Sequence, residues 1–283
     1  MQAESPTSIE QLTKILSNAD DDTRLIAGGT DLVLYLRQHP ALNFYLVNLM
    51  GIPELSIMKE EGDVLSIGAT TLHAQLELSE IVYHHARALS LAAASVGSPQ
   101  IRNRGTIGGN LAHASGAADT VPALSCLEAR VVIEDVRGNT SLHPVCECIA
   151  GRNKTILRPD QYIRSFQVPL RPHGYSDFAK VGSRRAVTIS KINLALSIDD
   201  PRNISSPVRL YVGAIAPSPT RSPEGEKEIS ALLRGSGNKR DFLDALSETV
   251  ERTIPTRSSM KYKRTAIRGL GDDIWIRLEE VLL

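Results

Sequence analysis

The chain has 283 residues, of which 42% are hydrophobic and 23% charged, the balance of an ordinary globular protein. Lysine plus arginine equals aspartate plus glutamate at 32 each, and this formal net charge of zero argues against a dominant nucleic-acid surface. The sequence shows no secretory signal, and no apolar run approaches the ~20 residues needed to cross a bilayer. Three cysteines give no even disulfide framework, so we expect a cytoplasmic protein with reduced thiols.

The first 55 residues predict a helix followed by a βαβ unit. Ser8 and Gln11 stand in capping-box register at the start of the helix. The unit consists of a buried strand at 24–27, a helix over 32–37 and a second buried strand at 45–49.

Gly28-Gly29-Thr30-Asp31 lies at the carboxyl end of the first of these strands. Backbone N–H groups and the Thr30 hydroxyl at this position suit a phosphate. Asp31 is expected to cap the following helix, because its charge would repel an anion. A glycine pair after a strand is otherwise a simple turn, so this segment alone does not establish a ligand site.

Residues 56–172 are predicted to alternate strands and helices around a second glycine-rich loop. A hairpin turn is expected at 137–139. The predicted strands are 65–69, 130–134 and 163–168, and the predicted helices are 71–78, 86–96 and 120–128.

The second loop, residues 104–119, has no bulky aromatic or long charged side chain after Arg104. Its glycines allow close approach to the backbone, and successive N–H groups form a concave anion site. We therefore expect the loop to hold an anionic cofactor, and the two loops together to clamp one long dinucleotide. Asp119 suits ribose or ribityl hydroxyls, with a helix N-cap as the alternative. Side-chain donors are expected from Thr106, Asn110 and Ser115.

Pro169, Pro172 and Gly174 mark the predicted domain boundary. The first domain would span 1–172, with subdomains of about 1–55 and 56–172, and the second would span 173–283. The second domain is predicted to contain a mostly antiparallel sheet with strands at 177–183, 187–198 and 208–215, and helices over 227–233, 240–253 and up to Leu283.

Several cofactor and catalytic motifs are absent from the sequence. No G-x-G-x-x-G follows a strand, and neither a Walker A sequence nor H-E-x-x-H occurs. Cys146 and Cys148, with the distant Cys126, fall short of the four thiolates of an iron–sulfur cluster, so buried structural cysteines are expected. His113 lies in the second loop without a base–nucleophile partner and is expected to contact a ligand without being catalytic.

The two glycine loops resemble those of the FAD-binding medium subunit of the molybdenum hydroxylases, which include xanthine, nicotinate and aerobic carbon monoxide dehydrogenases. The likeness rests on Ala27-Gly28-Gly29-Thr30-Asp31-Leu32 and on the run from Gly97 through Arg104-Gly105-Thr106-Ile107-Gly108-Gly109-Asn110-Leu111. It implies an α+β fold: a two-subdomain FAD-binding domain of the p-cresol methylhydroxylase type, followed by a smaller C-terminal α/β domain with an antiparallel sheet and helices.

The resemblance also implies a set of cofactor-binding residues. Lys180 matches a flavin-binding lysine whose charge would stabilise reduced flavin, although by itself it is a solvated strand residue. Val96 and Gly97 stand where animal xanthine dehydrogenases place a phenylalanine over the flavin. No histidine or cysteine lies within 27–32, so FAD is expected to be non-covalent. The expected set is Leu25, Ile26, Ala27, Gly28, Gly29, Thr30, Asp31, Leu32, Val96, Gly97, Thr106, Gly108, Gly109, Asn110, His113, Asp119, Ile163 and Lys180.

The function implied by the resemblance is electron transfer within a larger enzyme. A large subunit would hold the molybdenum cofactor and a small subunit the [2Fe–2S] clusters, because this chain lacks the cysteines for them. FAD would pass electrons to NAD or another acceptor, and the substrate would be a purine or another N-heterocycle. The alternatives are a free-standing flavoprotein oxidoreductase and a non-catalytic assembly subunit that has lost FAD.

Overall fold

The computed structural model describes residues 2–184 and 187–283, and its first unit is a small parallel sheet. The strands run in the order β1-β3-β2, and both pairings are parallel, as the predicted βαβ unit requires. Leu12 and Leu16 bury the apolar face of the first helix. The elements are β1 (Gln2–Glu4), α1 (Ile9–Leu16), β2 (Thr23–Ile26), α2 (Leu32–Gln38) and β3 (Tyr45–Asn48).

The second unit is an antiparallel sheet covered by helices. Its strands lie in the order β4-β5-β10-β6-β7, and a separate hairpin pairs β8 with β9. The strands are β4 (Met58–Glu61), β5 (Val64–Gly68), β6 (Arg130–Asp135), β7 (Thr140–Pro144), β8 (Ile149–Gly151), β9 (Lys154–Thr155) and β10 (Gln161–Pro169). The helices are α3 (His73–Leu78), α4 (Glu80–His85), α5 (Arg87–Ala94), α6 (Pro99–Arg102), α7 (Ile107–His113) and α8 (Thr120–Cys126).

The third unit is an antiparallel sheet backed by three helices. Phe242 and Trp275 pack in its core with ring centroids 5.4 Å apart. The elements are β11 (Tyr175–Val181), β12 (Ile192–Ile198), β13 (Val208–Gly213), β14 (Thr220–Arg221), α9 (Pro223–Leu233), α10 (Lys239–Thr253) and α11 (Met260–Leu282). No helix in the described part of the chain is long and apolar enough to span a membrane.

The second glycine-rich loop differs from its prediction, because half of it is the helix α7. Thr106 caps this helix: its hydroxyl accepts a 3.0 Å hydrogen bond from the Gly109 N–H. Gly108 and Gly109 lower the helix propensity of the segment, so the pattern predicted a loop. The predicted strand at 187–198 is also shorter than expected and begins at Ile192. The strands β1, β4, β8, β9 and β14 and the helices α4 and α6 were not predicted.

The second and third units share packed and charged contacts across the predicted boundary at 172. Phe178 and Ala195, from β11 and β12, belong to the same apolar cluster as the sheet of the second unit. The Ser197 hydroxyl donates to the carbonyl of Cys126. Arg209 contacts the Glu128 carboxylate at 2.6 Å. These contacts give the two units one continuous interface.

Candidate functional site

The two glycine-rich segments lie directly against each other. A Cβ added to Gly28 would stand 1.8 Å from the carbonyl oxygen of Arg104 and 3.0 Å from the Cα of Gly105. Any side chain at Gly28 would therefore force the two segments apart. The clamp predicted from the sequence has its two halves in contact.

The first segment, residues 28–31, keeps its backbone donors available. Within residues 2–184 and 187–283, the N–H groups of Gly28, Gly29 and Thr30 donate to no other group. Gly29 has a φ of +71°, a conformation that L side chains rarely adopt. Successive unpaired N–H groups around a residue of positive φ are the geometry that binds anions.

The backbone donors at the start of α7 are already used inside the protein. The Ile107 N–H donates to the Thr71 carbonyl at 3.0 Å, and the Gly108 N–H donates to the Ala69 carbonyl at 2.8 Å. The Gly109 N–H donates to the Thr106 hydroxyl. The second segment therefore does not provide the expected cradle of free backbone donors at these positions.

The two adjacent glycines of α7 have different surroundings. A Cβ at Gly108 would lie 2.6 Å from the Ala69 carbonyl oxygen, so protein packing requires glycine there. A Cβ at Gly109 would meet only the Thr106 hydroxyl, at 2.9 Å, and Gly109 is exposed. Apart from that one contact, packing within the described chain leaves room for a side chain at Gly109. Protein packing therefore demands glycine less strictly at 109 than at 108.

Asp119 and Lys180 form a buried ion pair between the second and third units. The Lys180 ammonium donates to the Asp119 carboxylate at 2.6 Å, and their side chains are only 12% and 7% exposed. Lys180 is therefore not the solvated strand residue of the alternative interpretation. It also donates to the Ser95 carbonyl at 2.7 Å.

Both Asp119 carboxylate oxygens accept further hydrogen bonds. Asn193 donates at 3.0 Å, and the hydroxyls of Ser95 and Ser190 also donate. Asp119 occupies the N-cap position of α8, but its side chain makes no capping hydrogen bond, so that alternative is wrong. The sequence pattern did not identify Ser95, Ser190 or Asn193, because only folding brings them to Asp119.

A polar cluster joins the first segment to the end of α7. The Thr30 hydroxyl donates to the Asp31 carboxylate at 3.3 Å, and the His113 ring lies 3.8 Å from the same carboxylate. Asn153, on the turn between β8 and β9, donates to the His113 carbonyl at 3.1 Å. The expected capping of α2 by Asp31 is wrong, because its side chain makes no capping hydrogen bond.

The other predicted residues divide between the loops and the core. Ile163 is 6% exposed and packs with Leu111 of α7 inside the apolar core, so it presents almost no surface. Gly97 has a φ of +47° and packs against Ile101. The Asn110 amide oxygen accepts a 2.6 Å bond from the Thr120 hydroxyl, which fixes its orientation. The half-buried members of the predicted set are Leu25, Ile26, Ala27, Gly28, Gly29, Thr30, Leu32, Val96, Gly97, Asn110 and Lys180.

A buried histidine that the sequence did not indicate supports the second segment. The His73 side chain lies beneath Gly105, and its backbone N–H donates to the Gly105 carbonyl at 3.0 Å. Burial and the nearby Arg102 lower the pKa of His73 to about 4, so the ring is neutral near pH 7. Arg102 in turn is paired with Glu77 at 2.6 Å.

The thiols show no sign of catalytic activation. Burial raises the pKa of Cys126 and raises the pKa of Cys148 to about 12, so both remain thiols at neutral pH. Cys146 is half-buried, and its pKa is also raised. No group of three or more histidine, cysteine or acidic residues in the described ranges could hold a metal ion.

The family described as the FAD-binding domain in molybdopterin dehydrogenase matches residues 1–171. The chain belongs to this family. Similar proteins include the nicotinate dehydrogenase FAD-subunit of Eubacterium barkeri, 29% identical over 98% of this chain and 96% of that protein. The nicotine 6-hydroxylase medium subunit of Paenarthrobacter nicotinovorans is 31% identical over 95% and 93% of the two chains.

Solved structures agree with the fold of this FAD-binding chain. Carbon monoxide dehydrogenase from Hydrogenophaga pseudoflava has a chain that is 24% identical, with a TM-score of 0.82 over 96% of this chain and 94% of that one. Reconstituted CO dehydrogenase from Oligotropha carboxidovorans gives a TM-score of 0.84 at 22% identity, over 95% and 94%. The family resemblance, the α+β fold and FAD as the cofactor of an oxidoreductase subunit are confirmed.

Proposed function

We propose that this chain is the electron-transfer subunit of a multi-subunit molybdenum hydroxylase, with FAD held between residues 28–31 and the exposed face of α7. Gly109 is the observation that carries the proposal, because packing within the described chain leaves its position almost empty. The unpaired N–H groups of Gly28, Gly29 and Thr30 supply donors for the pyrophosphate. The residues present therefore fit the cofactor.

The chain's own residues would bind the cofactor, orient it and adjust its potential. When bound, FAD exchanges electrons singly with metal centres and in pairs with a hydride acceptor. Asn110, with its orientation fixed by Thr120, points a defined amide toward the cofactor side of α7 in this proposal. Lys180 and Asp119 act together: the carboxylate holds the Lys180 ammonium in one position beside the cofactor site.

The electron path proposed for the complex needs partner subunits. The chain has three cysteines, too few for two [2Fe–2S] clusters, so the donor clusters would lie in a small subunit and the molybdenum cofactor in a large one. NAD or another acceptor would receive the electrons from FAD. The named relatives act on nicotinate and nicotine, which supports an N-heterocycle as the substrate of the complex. We retain a cytoplasmic location and domains at 1–172 and 173–283 as proposals.

FAD titration of two neighbouring glycine variants tests the site. Gly109→Val should keep the fold, although displacement of the Thr106 hydroxyl weakens the cap of α7 by about 1 kcal/mol, and should lose at least about tenfold in FAD affinity. Gly108→Val is the matched comparison: it should lower the melting temperature, because its side chain collides with the Ala69 backbone. FAD binding by Gly109→Val as tight as that of the wild type would refute the proposed site.

Isolation of the protein from its native source tests the relay. Co-purification with iron–sulfur and molybdenum subunits, and flavin reduction on adding the substrate of the complex, are the expected results. Flavin reduction by a substrate in the isolated chain would instead establish a free-standing oxidoreductase. The absence of flavin absorbance and of FAD binding would identify an assembly subunit.

A further inference from the structure

Two cations from the third unit converge on one turn after β13. The Lys263 ammonium donates to the Ala214 carbonyl, and a guanidinium nitrogen of Arg257 lies 3.4 Å from the adjacent Ile215 carbonyl. Lys263 is half-buried on α11, whereas Arg257 is exposed on the connection before that helix. Each cation keeps further N–H donors that these carbonyls do not use.

A third cation, Lys191, stands immediately before β12. Burial lowers the pKa of Lys263, and the charges of Arg257 and Lys191 lower it further, so both of these charges act on Lys263. Lys191 is exposed, and its N–H is held by the Val181 carbonyl at 2.8 Å. We call these three side chains the cation cluster.

The cation cluster lacks the carboxylates that accompany neighbouring cations. Arg252 pairs with Glu224, Arg264 with Glu251 and Arg268 with Asp244, each within ion-pair distance. Within the ranges 2–184 and 187–283, no carboxylate lies within ion-pair distance of Lys191, Arg257 or Lys263. Arg257 and Lys191 each repel Lys263, and a bound anion would offset this repulsion.

The backbone beneath the cation cluster is held in a rare conformation. Ala214 has a φ of +63°, which costs an alanine roughly 1–2 kcal/mol relative to right-handed backbone. Its N–H donates to the Gly116 carbonyl at 2.9 Å, and its carbonyl accepts from Lys263. A Cβ at Gly116 would lie 2.6 Å from the Ala216 carbonyl oxygen, so the two turns are in close contact. Strained residues held from both sides concentrate at functional sites.

We propose that Lys191, Arg257 and Lys263 bind a phosphate group, as free orthophosphate or as the terminal phosphate of a nucleotide. A tetrahedral dianion accepts hydrogen bonds from several directions, which suits cations that arrive from three separate parts of the chain. The site is distinct from residues 28–31, where backbone N–H groups are the donors. It does not depend on the proposed electron relay.

The chain segment that precedes Lys191 contacts the Asp119–Lys180 pair. Ser190, the neighbour of Lys191, donates to the Asp119 carboxylate, and Lys180 donates to the Thr188 carbonyl in the same connection. A phosphate held by Lys191 would restrain this connection.

Thermal melting of the FAD-loaded chain in rising inorganic phosphate tests the site, with sodium chloride added to hold the ionic strength constant. We expect a saturable rise in melting temperature and a weakening of phosphate affinity of about tenfold in Lys263→Met and in Arg257→Met. Lys191→Met is a further variant, because its exposed side chain holds no backbone group and its loss leaves the fold intact. The matched control is Lys227→Met, an exposed lysine on α9 that should retain wild-type phosphate affinity.

The arms of the titration distinguish the sources of the phosphate. If adenosine diphosphate binds more tightly than inorganic phosphate, the ligand is a nucleotide. If the two bind with equal affinity, the ligand is free phosphate. Both results support the site. The proposal is overturned if phosphate acts no differently from chloride, or if the three variants and the control respond alike. It is also overturned if the variants lose only a protein partner, which would make the cluster a docking surface for an acidic protein.

Discussion

Breaking the Asp119–Lys180 pair should destabilise the protein more than breaking any exposed ion pair. Asp119→Asn removes the charge of a side chain that is 7% exposed and leaves the Lys180 ammonium, 12% exposed, without its counter-ion. Removal of one partner from a buried pair costs about 3–5 kcal/mol, because the other charge stays buried and uncompensated. At about 2 °C per kcal/mol, the melting temperature should fall by roughly 6–10 °C.

A double-mutant cycle measured by urea unfolding separates the pair from its surroundings. Asp119→Asn and Lys180→Met should each lose stability, and the double variant should lose less than the two together by about 0.5–3 kcal/mol. The matched control is Lys59→Met in the exposed Lys59–Glu61 pair, whose side chains are 56% and 45% exposed. That pair should contribute at most about 1 kcal/mol.

The refuting result is a cost for Asp119→Asn no larger than for the exposed control. If the losses of unfolding free energy in the two single variants add up to that of the double variant, Asp119 stabilises the protein through Asn193 and Ser190 and not through Lys180. The flavin potential can be measured in the same variants. A shift in Lys180→Met that is absent from Lys59→Met would show that the pair also acts on the cofactor.

Three further predictions concern residues that packing or pKa sets apart. Gly28→Ala should weaken FAD binding at least about tenfold, since its methyl group would stand 1.8 Å from the Arg104 carbonyl oxygen. The control is Gly151→Ala, which has open space around it and should bind FAD normally in the same titration. Gly269→Ala, at an uncrowded position inside α11, should raise the free energy of unfolding by about 0.5–1 kcal/mol in a urea titration. Folding lowers the pKa of His73 from 6.5 to about 4, so the unfolded chain binds the extra proton between these values and stability falls as the pH drops through them. His73→Gln should therefore remove up to roughly 3 kcal/mol of that pH dependence, and an unchanged profile of stability against pH would contradict the assignment.

The glycine segments and most regular elements could be predicted from the sequence because their causes are local. Period-2 and period-3.6 apolar patterns predicted the long helices and most of the longer strands: β2, β3, β5, β6, β10, β11, β12 and β13. Gly28-Gly29 directly after a buried strand indicated where a chain reversal and close backbone contact occur. The family resemblance rested on these same segments.

The parts that could not be predicted depend on partners far apart in the chain. The Thr71 and Ala69 carbonyls turn a glycine-rich run into α7 by accepting its first N–H groups, and local propensity opposes that helix. Asp31 and Asp119 both stand at N-cap positions, yet each side chain turns to a different partner: a histidine from α7 and a lysine from β11.

The sequence by itself determined which segments are small, flexible and free of bulky side chains, because each residue carries its own steric limits. Only the tertiary structure decided which of those glycines serve protein packing and which leave space for a ligand. Gly28 and Gly108 lie against backbone from other segments, whereas a Cβ at Gly109 would meet only the Thr106 hydroxyl. The difference arises because a Cβ collides only with whatever the rest of the fold brings to it.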